Sequence, residues 1–81
     1  MNIQFTSRAK RDYAGLSPRL RRAVDKQLNF LLQNIRHPSL RAKKYDEAND
    51  IWQARVNDDY RFYFRIVGHE YRINTIVPHP K

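Results

Sequence analysis

The chain is short and strongly basic, with 16 Lys and Arg against 8 Asp and Glu in 81 residues and a formal charge of +8. This length fits one domain, and the charge favours an anionic partner such as nucleic acid, an acidic membrane surface or an acidic protein. The sequence holds no cysteine, which excludes disulfides and thiolate zinc sites. No apolar run reaches the ~20 residues of a membrane helix, and the first residues lack the pattern of a secretory signal. We therefore expect a single cytoplasmic domain over residues 1–81, without membrane association.

The first predicted elements are a short strand and a short helix. Polar and apolar residues alternate from Asn2 to Thr6, which is typical of a strand. Ser7 follows directly and is expected to cap a helix from about Arg8 to Gly15. This strand is able to join a sheet formed later in the chain.

A longer helix has the clearest start signal in the chain. Ser17 is the expected N-cap and Pro18 the first helical residue. The helix is predicted from Pro18 to Ile35, because the residue before Pro38 avoids the helical conformation. Apolar residues recur along it at steps of three or four, at Leu20, Val24, Leu28, Leu31 and Ile35.

The second half of the chain predicts a β-meander. Residues 39–50 show no clear period and are expected to form a loop. Three β-rich runs follow over 51–56, 60–67 and 71–77, separated by two short turn-like breaks. With the first strand they predict an α+β fold of order β-α-α-β-β-β. In this fold a helical hairpin packs on one face of a four-stranded antiparallel sheet.

Alternation along these runs separates an apolar face from a basic one. The apolar set is Trp52, Ala54, Val56, Tyr60, Phe62, Phe64, Ile66, Tyr71, Ile73, Thr75 and Val77. The opposite set is Gln53, Arg55, Arg61, Tyr63, Arg65, Arg72 and Asn74. Strict alternation also places His79 with the apolar set, although Pro78 is expected to interrupt the pattern.

The segment from Ile51 to Phe64 resembles the RelE/ParE superfamily of toxins. Members share a tryptophan, two further residues and an arginine, then a tyrosine–arginine pair in the next strand. This chain has Trp52, Arg55 and Tyr60-Arg61 at those positions. The preceding helical hairpin is similar too. The resemblance implies a toxin of a type II toxin–antitoxin system, neutralised by a cognate acidic antitoxin.

Two branches of this superfamily differ in their target. The RelE-like branch cleaves mRNA on the ribosome, whereas the ParE-like branch inhibits DNA gyrase and lacks the nuclease residues. We expect a ribosome-dependent mRNA endonuclease that needs no cofactor or metal. A gyrase inhibitor and a degenerate toxin that only binds its antitoxin remain the alternatives.

The resemblance also implies which residues act. Metal-free RNA cleavage needs a base for the 2′-hydroxyl, cations for the phosphorane and an acid for the leaving oxygen. Arg61 is expected at the scissile phosphate and His79 as the group that exchanges a proton near neutral pH. For the second proton transfer, Asp46, Glu47 and Tyr63 are possible partners.

Five further residues are expected to bind the substrate. Arg55, Lys43, Lys44 and Lys81 are expected at the RNA backbone, and Tyr63 against a base. Each has an alternative interpretation: solvated surface charges for the cations, and a half-buried β-strand tyrosine for Tyr63. For His79 the alternative is an exposed residue without a role.

Overall fold

A computed structural model describes residues 1–80 as a sheet with two helices on one face. In chain order the elements are β1 (Asn2–Phe5), α1 (Ser7–Ala14), α2 (Pro18–Gln33), β2 (Lys43–Asp46), β3 (Ile51–Arg55), β4 (Tyr60–Val67) and β5 (Glu70–Pro78). The strands form one five-stranded sheet in the order β1-β5-β4-β3-β2. The predicted α+β fold is confirmed. Within residues 1–80, no helix has the length and apolar character required to cross a membrane.

The sheet has five strands because β2 forms where a loop was predicted. β2 pairs antiparallel with β3, with Lys43 opposite Gln53 and Lys44 opposite Trp52. It is an edge strand, and edge strands commonly carry lysines that discourage pairing with other chains. Its four residues therefore lack the apolar alternation on which the prediction relied.

The first strand also pairs differently from the prediction. β1 runs parallel to β5, with Asn2 opposite Glu70 and Phe5 opposite Ile73. The backbone N–H of Thr6 extends this pairing by donating to the Ile73 carbonyl at 3.0 Å. The prediction of an all-antiparallel sheet is wrong, because alternation in a four-residue strand carries no information about direction.

The helix boundaries follow the sequence signals closely. Ser17 caps α2 as predicted, and its hydroxyl accepts from the Leu20 N–H at 3.2 Å. Thr6, not Ser7, caps α1, with its hydroxyl accepting from Ala9 N–H at 3.1 Å. α2 ends at Gln33, two residues before the predicted end, because the next residue is an asparagine whose side chain caps the following turn.

The helices bury the apolar face of the sheet, which we call the covered face. Its centre consists of Phe62, Phe64 and Ile73, all with no exposed surface, and Val24 and Leu31 of α2 are buried in the same cluster. Each such side chain contributes ~1.5–3 kcal/mol of stability. The remaining buried apolar residues are Ala9, Leu28, Leu40, Ala54, Val56, Tyr71 and Ile76. Ile66, predicted on this face, is 44% exposed near the β4–β5 turn.

A β-bulge interrupts the alternation of β5. Phe64 lies opposite Ile73, but Tyr63 lies opposite Thr75, so Asn74 is an extra residue without a cross-strand partner. After the bulge, Ile76 enters the covered face, where it is 3% exposed. The prediction that Thr75 and Val77 share a face with Ile73 is therefore wrong.

Two residues from the start of the chain hold the bulge. The Thr6 hydroxyl donates to the Asn74 carbonyl at 2.9 Å. The carboxylate of Asp12 on α1 accepts the Ile76 N–H at 3.0 Å. Backbone groups that a bulge leaves without a ladder partner are thus satisfied by side chains. The bulge is a fixed part of the fold.

Candidate nucleic-acid interface

The face of the sheet opposite the helices, which we call the open face, carries a pocket lined by cations. Arg41, Lys43, Gln53, Arg61 and His79 surround a cavity of about 240 Å³, called here the cationic pocket. The cross-strand pairing of Lys43 with Gln53 brings β2 to its rim. Three permanent cations and one imidazole thus share one small hollow. Such a set suits a phosphate group better than an apolar ligand.

His79 reaches this pocket because of the bulge. The extra residue shifts the parity of β5, so that Val77 lies opposite Arg61 and His79 falls on the same side. The backbone N–H of His79 also donates to the Asp59 carbonyl at 2.7 Å. Strict alternation placed His79 on the covered face, and this prediction is wrong because His79 lines the pocket on the open face.

Arg61 is fixed by the turn between β3 and β4. Its Nη1 donates to the carbonyls of Asn57 at 2.5 Å and Tyr60 at 2.9 Å. Within residues 1–80 no salt bridge joins Arg61 to a carboxylate. None of the described carboxylates therefore neutralises it, and its other N–H groups are able to meet phosphate oxygens.

Arg55 lies directly opposite Arg61 on the neighbouring strand. Its Nη2 is 2.6 Å from the carboxylate of Asp58, which is 86% exposed. Its Nε is buried and has no hydrogen-bond partner among residues 1–80. Arg55 is not among the residues that line the cationic pocket, and Asp58 offsets its charge.

The two lysines of β2 point to different faces of the sheet. Lys43 lines the cationic pocket. Lys44 lies on the other side, with its Nζ 5.2 Å from the Trp52 ring centroid and 2.8 Å from the Asp50 carboxylate. The hydrogen bond from Lys44 lowers the pKa of Asp50, and the same bond raises the pKa of Lys44. Lys44 is thus separated from the predicted site, and Lys81 lies outside the described residues.

The other predicted residues lie around the pocket rather than in it. The Tyr63 hydroxyl accepts from the Gln53 side chain at 2.8 Å, beside the pocket. Asp46 accepts from the side chain and the backbone of Asn49, and these bonds lower its pKa. This carboxylate caps the β2–β3 turn, and Glu47 is exposed on the same turn. Neither acid is among the residues that line the cationic pocket.

Sequence reasoning missed Arg41 as a member of the pocket. It follows the fully buried Leu40 and has a φ of 46°, a value uncommon outside glycine. The side chain of Gln27 donates to the carbonyls of Ser39 at 3.0 Å and Arg55 at 2.7 Å, which ties this loop to α2 and β3. These contacts join distant parts of the chain, so no local pattern reveals them. Gln53 was missed as well, because in the sequence it is only a polar position of a predicted strand.

The architecture is shared with solved toxin structures. The structure of a YoeB/ParE toxin from Agrobacterium tumefaciens is similar over 99% of this chain and 100% of that one, with a TM-score of 0.83 and 14% identity. YafQ from E. coli gives a TM-score of 0.78 over 96% and 92% of the two chains, at 11% identity. The toxin–antitoxin complex RelBE2 from Mycobacterium tuberculosis gives 0.74 over 96% of each, at 25% identity.

Comparisons by sequence give a different result. No protein-family model and no curated protein matches the chain. The structural likenesses nevertheless show that it has the fold of RelE/ParE-type toxins, several of which were solved with their antitoxins. The resemblance found in the sequence is confirmed at this level.

Proposed function

We propose that this chain is the toxin of a type II toxin–antitoxin system and that it cleaves mRNA on the ribosome without a metal ion. The observation that carries the proposal is the cationic pocket, which brings Arg61 and His79 together on the open face. The fold supports the toxin–antitoxin part of the proposal, because the similar structures include a YoeB/ParE toxin and the toxin–antitoxin complex RelBE2. The proposed site of action is the cytoplasm.

The proposed reaction is attack by a 2′-hydroxyl on the adjacent phosphate. As the 2′-oxygen bonds to phosphorus, the bond to the 5′-oxygen breaks, leaving a cyclic phosphate and a 5′-hydroxyl. Arg61 stabilises the dianionic phosphorane, while Arg41 and Lys43 neutralise the flanking backbone. His79 carries one of the two protons that move in this reaction.

The proposed partner in the cell is an acidic antitoxin. A net charge of +8 and three cations around one pocket, none of them in a salt bridge within residues 1–80, favour a negatively charged partner over the pocket. An antitoxin that occupies the cationic pocket blocks RNA entry by the same charges that attract RNA. Its association rate is expected to fall steeply as salt is added.

Two arginines on β4 provide a matched test. Arg61 lines the cationic pocket, whereas Arg65 is exposed on the same strand, away from the pocket. Arg61→Ala is expected to lower the rate of mRNA cleavage by ~10²–10³-fold, and Arg65→Ala to leave it near that of the parent. Growth arrest and primer extension on cellular mRNA measure both. Equal activity of Arg61→Ala and the parent contradicts the proposed site.

His79→Ala tests the proton-transfer role separately. The loss of one acid–base group is expected to reduce cleavage by ~10²–10⁴-fold. If the parent protein arrests growth with intact mRNA and blocks DNA supercoiling, the chain is a gyrase inhibitor instead. If strong expression of the parent protein does not arrest growth, the chain is a degenerate toxin that only binds its antitoxin.

A further inference from the structure

A second hollow lies beside the cationic pocket on the open face. Tyr45, Ile51, Tyr63, Asn74 and Thr75 surround a cavity of about 340 Å³, called here the aromatic pocket. Among the described residues, no charged side chain lines it, in contrast to its neighbour. The two pockets meet where Gln53 of the cationic pocket donates to the Tyr63 hydroxyl at 2.8 Å.

Two tyrosine rings form one wall of the aromatic pocket. The rings of Tyr45 and Tyr63 meet edge to face, with centroids 4.9 Å apart and planes at 71°. Tyr45 is 61% exposed, so its ring is accessible to a ligand. Tyr63 is held in place by its bond to Gln53. The pair thus offers an accessible aromatic surface to a flat ligand.

Polar groups from the bulge form the opposite wall. Because Asn74 is the extra residue, its side chain and that of Thr75 line the same pocket. Within residues 1–80 neither side chain makes a hydrogen bond. An amide that both donates and accepts, beside a hydroxyl, is suited to the edge of a nucleobase.

We propose that the aromatic pocket binds the base of a nucleotide adjacent to the phosphate in the cationic pocket. The inference rests on the proposed function, because it takes single-stranded RNA as the ligand. Arg61 and Tyr63 are two residues apart on β4, which places them ~7 Å apart along the strand. One anionic site and one stacking site at this spacing match the backbone and the base of neighbouring nucleotides. The base stacks on Tyr45, and Asn74 contacts its edge.

Short RNA analogues that cannot be cleaved test the aromatic pocket apart from the reaction. The probes are fluorescently labelled 2′-O-methyl trinucleotides, intact or with an abasic site at each position in turn. Binding to the purified protein is measured by anisotropy at low salt. For the parent, an abasic site at one position is expected to weaken binding by roughly 5- to 150-fold, the usual range for stacking.

Tyr45→Ala is expected to remove this penalty, so that intact and abasic probes bind alike. Tyr45→Phe keeps the ring and is expected to keep the penalty. Ile66→Ala is the control, because Ile66 is also a large exposed residue but lies outside both pockets. Asn74→Ala is expected to keep the stacking penalty and to reduce the difference in affinity between the four bases.

Three results overturn the inference. They are a penalty unchanged in Tyr45→Ala, no penalty at any position in the parent, and no binding by the parent. The probes require neither cleavage nor a ribosome. A parent that shows the penalty but cuts no cellular mRNA therefore refutes the nuclease and leaves the aromatic pocket standing. In contrast, a parent that cuts mRNA but shows no penalty refutes base binding in the aromatic pocket and leaves the proposed nuclease standing.

Discussion

The two faces of the sheet differ in what holds them together. On the covered face, Phe62, Phe64 and Ile73 lose all contact with solvent and pack against the helices. On the open face, Arg55 and Arg61 lie directly opposite each other, and the salt bridge to Asp58 offsets only the charge of Arg55. The comparison shows that the two faces have different roles: one buries the apolar surface that stabilises the domain, and the other holds several cations close together.

The largest expected effect is a loss of stability when a side chain at the centre of the covered face is removed. Phe64→Ala removes a fully buried ring in contact with Trp52, Phe62 and Tyr71, and is expected to cost ~3–5 kcal/mol. Ile66→Ala, on the same strand but exposed, is expected to change stability by less than ~0.5 kcal/mol. Urea unfolding measures both. Similar midpoints for the two variants contradict the assignment of the core.

The next largest effect is expected from a change at the bulge, which connects the two faces of the sheet. Asp12→Ala leaves the Ile76 N–H without its acceptor and is expected to cost ~1–3 kcal/mol. Because the same contact fixes the parity of β5, the rate of the proposed mRNA cleavage is expected to fall by more than the unfolded fraction explains. Activity is therefore measured at a temperature where circular dichroism shows a folded protein.

Arg8→Ala is the control for this variant, since its Nε is 3.9 Å from Asp12 and the side chain is largely exposed. It is expected to change neither stability nor cleavage appreciably. If Asp12→Ala loses only stability, the bulge does not position His79.

A smaller effect is expected on RNA affinity when only the open face is changed. Asp58 pairs with Arg55, so Asp58→Asn releases the guanidinium toward phosphate. Affinity for single-stranded RNA is expected to rise by roughly 1.4- to 5-fold. The slope of log affinity against log salt is expected to steepen by ~0.7, as for one more phosphate contact. Anisotropy titrations at several salt concentrations measure both, and an unchanged slope contradicts the release of Arg55.

The smallest effect concerns pH and a pair outside both pockets. The hydrogen bond from Lys44 lowers the pKa of Asp50 in the folded state, so this pair stabilises the fold above the unfolded-state pKa of the carboxyl. The contribution is lost as the pH falls through the lower folded-state value. The stability difference between the parent and Asp50→Asn is thus expected at pH 7 and to shrink near pH 3. Urea midpoints at both pH values test this, and a constant difference contradicts it.

The covered face was largely predictable, because burial imposes a period that side chains must follow. Ser17-Pro18 marked the start of α2, and alternation identified Phe62 and Phe64 as core. The open face depended on features without a local signal. β2 lacks an apolar period, and the bulge at Asn74 is fixed by Asp12, 62 residues earlier in the chain. Arg41 is positioned by Gln27 and Leu40, whose contacts also join distant segments.

The place of β5 between β1 and β4 has a consequence for how the protein is made. During translation, β1 leaves the ribosome first, yet its neighbour in the sheet is the last strand to emerge. Until residues 70–79 are synthesised, β1 has no partner and the cationic pocket lacks its imidazole. Nascent chains therefore lack the complete cationic pocket until synthesis of this domain is essentially finished.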